Sequence, residues 1–101
     1  MAIRKTKQES FLVEGTTQAW LSRAEQALHS GGFTNVKLNT ALAQLTGDYK
    51  KATVWGRIAV TLLPEAEKVQ LAVEATANAD NVIALFSSPT QKILDQFKNN
   101  L

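Results

Sequence analysis

Histidine is the side chain whose charge changes near neutral pH, and the chain contains one, His29. It lies in the last turn of a helical pattern, where a cation interacts favourably with the carbonyl end of the helix. The chain has no second histidine and no cysteine, so the common partners of a nucleophile or a metal ion are missing. These residues predict no catalytic site, no metal site and no cofactor.

The nine carboxylates do not form a recognisable catalytic pair. Glu65 and Glu67 flank a predicted turn, while Asp48 follows Gly47 and Asp80 lies between two asparagines, positions typical of turn residues. The sequence contains no phosphate-binding glycine loop, dinucleotide fingerprint, nucleophile elbow or calcium-loop spacing. We therefore expect a domain that is not an enzyme.

Trp55 is the residue whose type and position could support binding. Strict strand alternation places it beside Arg57, on the face opposite Ile58. Three interpretations remain open: packing over neighbouring side chains, a self-association interface, or a platform on which a nucleic-acid base stacks. A bulge at Gly56 would instead turn Trp55 inward. The candidate interface residues are Trp55, Arg57, Lys68 and Gln70.

A second candidate site lies on the buried side of the predicted sheet. A helix that crosses long strands can leave an apolar cleft, and small ligands bind in clefts of that kind. A tightly filled core is the alternative interpretation. The candidate pocket residues are Trp20, Val60, Leu71, Ile93 and Phe97.

The elements that position these residues centre on a long antiparallel hairpin over residues 52–77. Apolar and polar residues alternate on both sides of a turn that contains Pro64, the pattern of strands with one buried face. Before the hairpin, a strand over residues 9–14 leads to a helix over residues 17–30 that ends at Gly31 and Gly32. Short strands are expected at residues 35–39 and 42–46, with a loop through Gly47, Asp48 and Tyr49; residues 41–45 also suit a helical turn.

After the hairpin, residues 82–86 suit either a helical turn or a brief edge strand. Ser88, Pro89 and Gln91 then form a capping-box pattern that begins an amphipathic helix. The resulting fold is α+β, in the order β-α-β-β-β-β-α. Its mostly antiparallel sheet has four to five strands, and both helices cover one face.

Length and charge narrow the class further. The 101 residues suit one domain, with residues 1–8 as a flexible tail and residues 9–101 as the folded unit. A net charge of +2 is small for a protein that binds a polyanion, so a nucleic-acid partner is not expected. No apolar run is long enough to span a membrane, and a cytoplasmic location is the simplest expectation.

The segment from Thr53 to Ile58, with its Trp55-Gly56 pair, resembles small bacterial α+β domains of unknown function that carry a Trp-Gly pair on a central strand. The arrangement also resembles a shortened helix-grip fold. The resemblance implies a domain without catalytic residues to transfer. We therefore expect a cytoplasmic binding module that forms a homo-oligomer or binds a protein partner; the alternative is a small apolar-ligand binder with a cleft between the terminal helix and the sheet.

Overall fold

The computed structural model describes residues 3–51, 54–79 and 89–101, which form five antiparallel strands and two helices. In chain order the elements are β1 (Ile3–Glu14), α1 (Thr17–Ser30), β2 (Thr34–Asn39), β3 (Gln44–Lys51), β4 (Val54–Glu65), β5 (Lys68–Ala79) and α2 (Pro89–Lys98). The strands lie side by side in the order β1-β5-β4-β3-β2. The predicted α+β fold and its element order are confirmed.

The β4–β5 hairpin is the longest feature of the sheet, as its alternating pattern predicts. Its pairing runs without interruption from Val54 opposite Ala79 to Glu65 opposite Lys68. Pro64 pairs with Val69 inside the ladder, rather than lying in the turn. The turn is instead made at Ala66 and Glu67, where Ala66 has a φ of 56°. The hairpin is therefore longer at this end than the position of the proline suggested.

β1 and β3 include residues that the sequence analysis placed outside strands. β1 begins at Ile3, so residues 3–8 are strand rather than tail, because β5 is long enough to pair with β1 along its whole length. β3 includes Gly47, Asp48 and Tyr49, which the sequence placed in a loop. Their backbone groups bond to β4, and this pairing outweighs the turn preference of Gly and Asp.

Both helices cover the same side of the sheet, here called the inner face. Thr16 caps α1 by accepting a hydrogen bond from the Ala19 amide at 3.2 Å. The fully buried residues of the helices, Ala24, Ala27 and Leu28 of α1 and Ile93, Leu94 and Phe97 of α2, pack against strand residues such as Ile58, Val60, Leu71 and Val73. The opposite side, here called the outer face, carries Trp55, Arg57, Thr61 and Gln70.

The run over residues 82–86 and the capping serine at position 88 lie outside the described residues. Within the described ranges, no helix is both long and apolar enough to span a membrane. The cytoplasmic location therefore stays a prediction.

Candidate functional site

Trp55 lies on the outer face, as strict alternation predicts. The pairing of β4 is continuous on both sides of it, with Asn78 opposite on β5 and Lys50 opposite on β3. No bulge interrupts β4 at Gly56 in this register. Trp55 is partly buried, and the Asn78 side-chain amide donates to its backbone oxygen at 3.4 Å.

Gly56 is required by the close approach of β5 rather than by a bulge. A Cβ atom at this position would lie 2.0 Å from the backbone oxygen of Thr76 and 3.0 Å from the Cα atom of Ala77. Such distances are far below van der Waals contact, so no other residue fits without moving β5. The glycine therefore allows the backbones of β4 and β5 to approach closely beside Trp55.

Next to Trp55, Asp48 and Arg57 form an ion pair across β3 and β4. The Arg57 Nε atom donates to Asp48 Oδ1 at 3.2 Å, and the Asn35 side-chain amide donates to Asp48 Oδ2 at 3.0 Å. Asn35 adopts a φ of 51°, where the ladder between β2 and β3 is irregular. The hydrogen bond from Asn35 is the main cause that lowers the pKa of Asp48, with the Arg57 hydrogen bond and charge adding to it and burial opposing it.

These residues line a cleft of about 700 Å³ on the outer face. We call it the Trp55 cleft; its main side chains are Asn35, Asp48, Lys50, Trp55, Arg57 and Asn78. A second concavity of about 490 Å³ lies further along the same face, lined by Gln8, Ser10, Gln44, Thr61, Gln70 and Glu74. Amide and hydroxyl groups dominate this second concavity, which gives it little ability to bind an apolar molecule.

The four predicted interface residues share the outer face but lie at its two ends. Gln70 pairs with Leu63, eight positions beyond Trp55 on β4, a separation of about 26 Å along an extended strand. Lys68 lies further still, opposite Glu65. Trp55 and Arg57 are adjacent to each other, but Lys68 and Gln70 do not join them in one patch.

The five predicted pocket residues meet on the inner face. Val60, Leu71, Ile93 and Phe97 are fully buried in one core cluster, and Trp20 packs at its edge. The Trp20 Nε1 atom donates to the Glu14 backbone oxygen at 2.8 Å, and the Arg23 guanidinium lies 4.1 Å from the Trp20 ring centre. The hydrogen bond joins α1 to β1, so Trp20 has a packing role at the edge of this site.

The side chains of the inner face become small toward one end. Gly56 and Ala77 lie opposite each other, and Ala75 follows on the same face. Ala75 and Ala77 are nonetheless fully screened from solvent. Beside them, Tyr49 pairs with Gly56 on β3 and its ring lies 5.7 Å from that of Phe33. We call this region the small-residue end; its residues are Phe33, Tyr49, Gly56, Ala75 and Ala77.

Sequence reasoning missed the grouping of Asp48, Lys50 and Asn35 around Trp55. It assigned Asp48 to a loop, whereas the register that pairs Lys51 with Val54 places Asp48 opposite Arg57. In the described part of the chain, no three Asp, Glu or His side chains come close enough to hold a metal ion.

Comparison with known proteins shows the fold but no family. No protein-family model matches the chain, and no curated protein matches it significantly. A truncated norcoclaurine synthase from Thalictrum flavum superposes with a TM-score of 0.69 at 6% identity, covering 98% of this chain and 91% of the synthase chain. The ZhuI aromatase/cyclase from Streptomyces matches with a TM-score of 0.59 at 8% identity, covering 97% and 87% of the two chains.

A conserved protein from Geobacillus kaustophilus also shares the fold. Its TM-score is 0.59 at 12% identity, over 95% of this chain and 91% of that chain. The likeness to bacterial conserved proteins is thus present at the level of the fold. The Trp-Gly pair as a marker of such domains stays a prediction.

The argument behind the prediction that the chain is not an enzyme is wrong. It rested on the absence of recognised catalytic motifs, yet two of the proteins that share this fold are named as a synthase and an aromatase/cyclase. The catalytic residues of such a fold need not form short sequence motifs, because activity depends on residues that are grouped in space.

Proposed function

We propose that this protein binds a small aromatic or apolar molecule between the inner face of the sheet and α2. The small-residue end carries the proposal. Ala75 and Ala77 supply one methyl group each and Gly56 supplies no side chain, so the side chains of the sheet extend little from its inner face at this end. Phe33 and Tyr49 border this end with aromatic rings, which suits the face or edge of an aromatic ligand.

The rest of the inner face supports this location for the ligand. Val60, Leu71, Ile93 and Phe97 form the closely packed core that anchors α2 beside the small-residue end. Buried apolar side chains of this size contribute about 1.5–3 kcal/mol each to folding, so the core resists opening. We therefore place the ligand beyond these residues, at the small-residue end.

Known ligands of the shared fold agree with this class of molecule. One structure of the Thalictrum synthase is a complex with dopamine and hydroxybenzaldehyde, and that chain matches this one with a TM-score of 0.59. Aromatic ligands of that size, with one or two polar groups, suit a site bordered by apolar side chains and the Tyr49 hydroxyl.

Replacement of Ala77 with leucine tests the proposal by filling the site. We expect Ala77→Leu to fold with nearly unchanged stability and to lose binding of the dye 1-anilinonaphthalene-8-sulfonate, followed by its fluorescence. Ala72→Leu on the outer face of β5 is the matched control and should bind the dye as the natural protein does. Native mass spectrometry of the purified protein checks for a retained small molecule.

A closely packed small-residue end would give the opposite result. Overpacking a filled core costs about 1–3 kcal/mol, so a clear loss of stability in Ala77→Leu, with no dye binding by the natural protein, contradicts the proposal. Self-association through the outer face, which the sequence analysis expects, stays a separate prediction. Sedimentation velocity tests it, since a single monomeric species at every concentration argues against it.

A further inference from the structure

The Trp55 cleft lies on the opposite side of the sheet from the proposed ligand site and has different chemistry. Trp55 presents a partly buried aromatic ring there, while Arg57 is well exposed, with 69% of its side chain accessible. The exposed Lys50 lies directly opposite the Trp55 ring on β3, so a cation and an aromatic surface are both available to a ligand there. The cleft is therefore a candidate binding site in its own right.

Among the described residues that line it, positive charge exceeds negative charge. Asp48 is the one carboxylate in that set, and both of its oxygens already accept hydrogen bonds, from Arg57 and from Asn35. Arg57 uses Nε for that ion pair, and its two terminal amino groups carry further donors. Within the described part of the chain, no carboxylate forms an ion pair with Lys50. The cleft thus offers two cationic groups for an anion.

The strand register places these groups around one side of the Trp55 ring. Lys50 is directly opposite Trp55 on β3, with Cβ atoms about 5 Å apart in such pairs. Arg57 follows on the same face of β4, about 7 Å along the strand. Both side chains are long enough to reach an anion held at the edge of the ring.

We propose that the Trp55 cleft binds small molecules that combine a planar aromatic ring with a carboxylate or phosphate group. The ring stacks on Trp55, and the anionic group lies between the Lys50 ammonium and the terminal amino groups of Arg57. Asp48, two residues before Lys50 on β3, accepts a hydrogen bond from Arg57 Nε, and Asn35 holds Asp48 in place. This arrangement leaves the two terminal amino groups of Arg57 for the ligand.

The composition of the cleft favours a small molecule over a nucleic-acid strand. Strand-binding surfaces use several aromatic side chains along a basic groove, whereas in the described part of the chain Trp55 is the one aromatic side chain on the outer face of this cleft. The net charge of the chain is also only +2. A ligand with one aromatic ring and one anionic group matches the single stacking surface and the cationic side chains of the cleft.

Proton–nitrogen NMR of the full chain tests the proposal through the Trp55 indole resonance, assigned with the Trp20→Phe variant. The probes are 4-hydroxybenzoate and uridine 5′-monophosphate. Phenol and acetate are the control compounds, because phenol supplies only the ring and acetate only the anionic group. We expect saturable shifts of Trp55 with one or both of the first two probes and much smaller shifts with the others. The two probes distinguish a carboxylate ligand from a phosphate ligand.

Lys50→Gln should weaken binding about threefold, the range of an exposed ion pair. Lys92→Gln, on the exposed side of α2, removes the same charge elsewhere and should leave binding unchanged. Added salt should weaken binding in the natural protein. The proposal is overturned if neither probe gives a saturable shift, if phenol alone binds equally well, or if the two lysine variants behave alike.

Discussion

Gly56→Ala is the substitution for which the structure predicts the largest effect from the smallest change. The added methyl group would lie 2.0 Å from the Thr76 backbone oxygen and 3.0 Å from the Ala77 Cα atom. Carbon–oxygen contacts between strands are about 3.3 Å or longer, so β5 must move away by about 1 Å. Both atoms belong to the backbone, and no rotation of a side chain can relieve the overlap.

The cost follows from what such a movement breaks. Separation of β4 and β5 near Gly56 would weaken about two backbone hydrogen bonds, each worth about 1 kcal/mol. It would also displace the backbone of Ala77, to which the Cα atom in this contact belongs. We expect Gly56→Ala to lower the free energy of unfolding by about 2–4 kcal/mol. For a domain of this size that lowers Tm by about 10–25 °C.

Gly47→Ala is the matched control on the neighbouring strand. Its added methyl group would meet the Phe33 side chain, at 3.3 Å from the Cβ atom, rather than backbone. Because alanine also reduces the entropy of the unfolded chain, the change in free energy of unfolding should stay within about 1 kcal/mol. Urea unfolding followed by circular dichroism measures both variants. Equal stabilities for the two would refute the close approach of β5 at Gly56.

Two further predictions concern hydrogen bonds seen in the structure. The pKa of the Asp48 carboxyl, followed by carbon-13 NMR, should lie below 3.8 in the natural protein. It should rise in Asn35→Gly, which keeps the φ of 51° accessible but removes the amide. Because a lowered pKa stabilises the fold above pH 3.8 and this stabilisation is lost as pH falls through the folded-state pKa, the variant should lose less stability in acid; an unchanged pKa would contradict the role of Asn35. Thr16→Ala should lower the free energy of unfolding by about 1 kcal/mol through loss of the α1 cap, and Thr16→Ser should restore most of it in the same urea assay.

The fold was predictable wherever one face of an element is buried. Alternation over β4 and β5 and the helical spacing of α1 follow from the apolar side chains that each must place in the core. The start of β1 was not predictable in this way. Residues 3–8 are mostly polar and carry no alternation that marks a buried face, so their strand conformation depends on pairing with β5.

The same distinction applies to the candidate sites. The pattern placed Trp55 beside Arg57 because neighbours on one strand face are set by the period of two. It could not place Asp48 and Asn35 beside them. Asp48 reaches Arg57 through the pairing of β3 with β4, and Asn35 reaches Asp48 through the irregular pairing of β2. Contacts between strands depend on register, which local preferences specify only weakly.

The sequence by itself therefore determined the α+β class and the order of elements, since these depend on the spacing of apolar residues along the chain. It left open whether a bulge at Gly56 turns Trp55 inward, and the continuous pairing of β4 decided that Trp55 lies on the outer face. Only the tertiary structure decided that Gly56 is required by the backbone of β5. It also decided that the Trp55 ring, the cations of Lys50 and Arg57, and the ion-paired Asp48 carboxylate meet in one cleft. Those relations join residues from separate strands. Their physical cause is the curvature and register of the whole sheet, which no single segment contains.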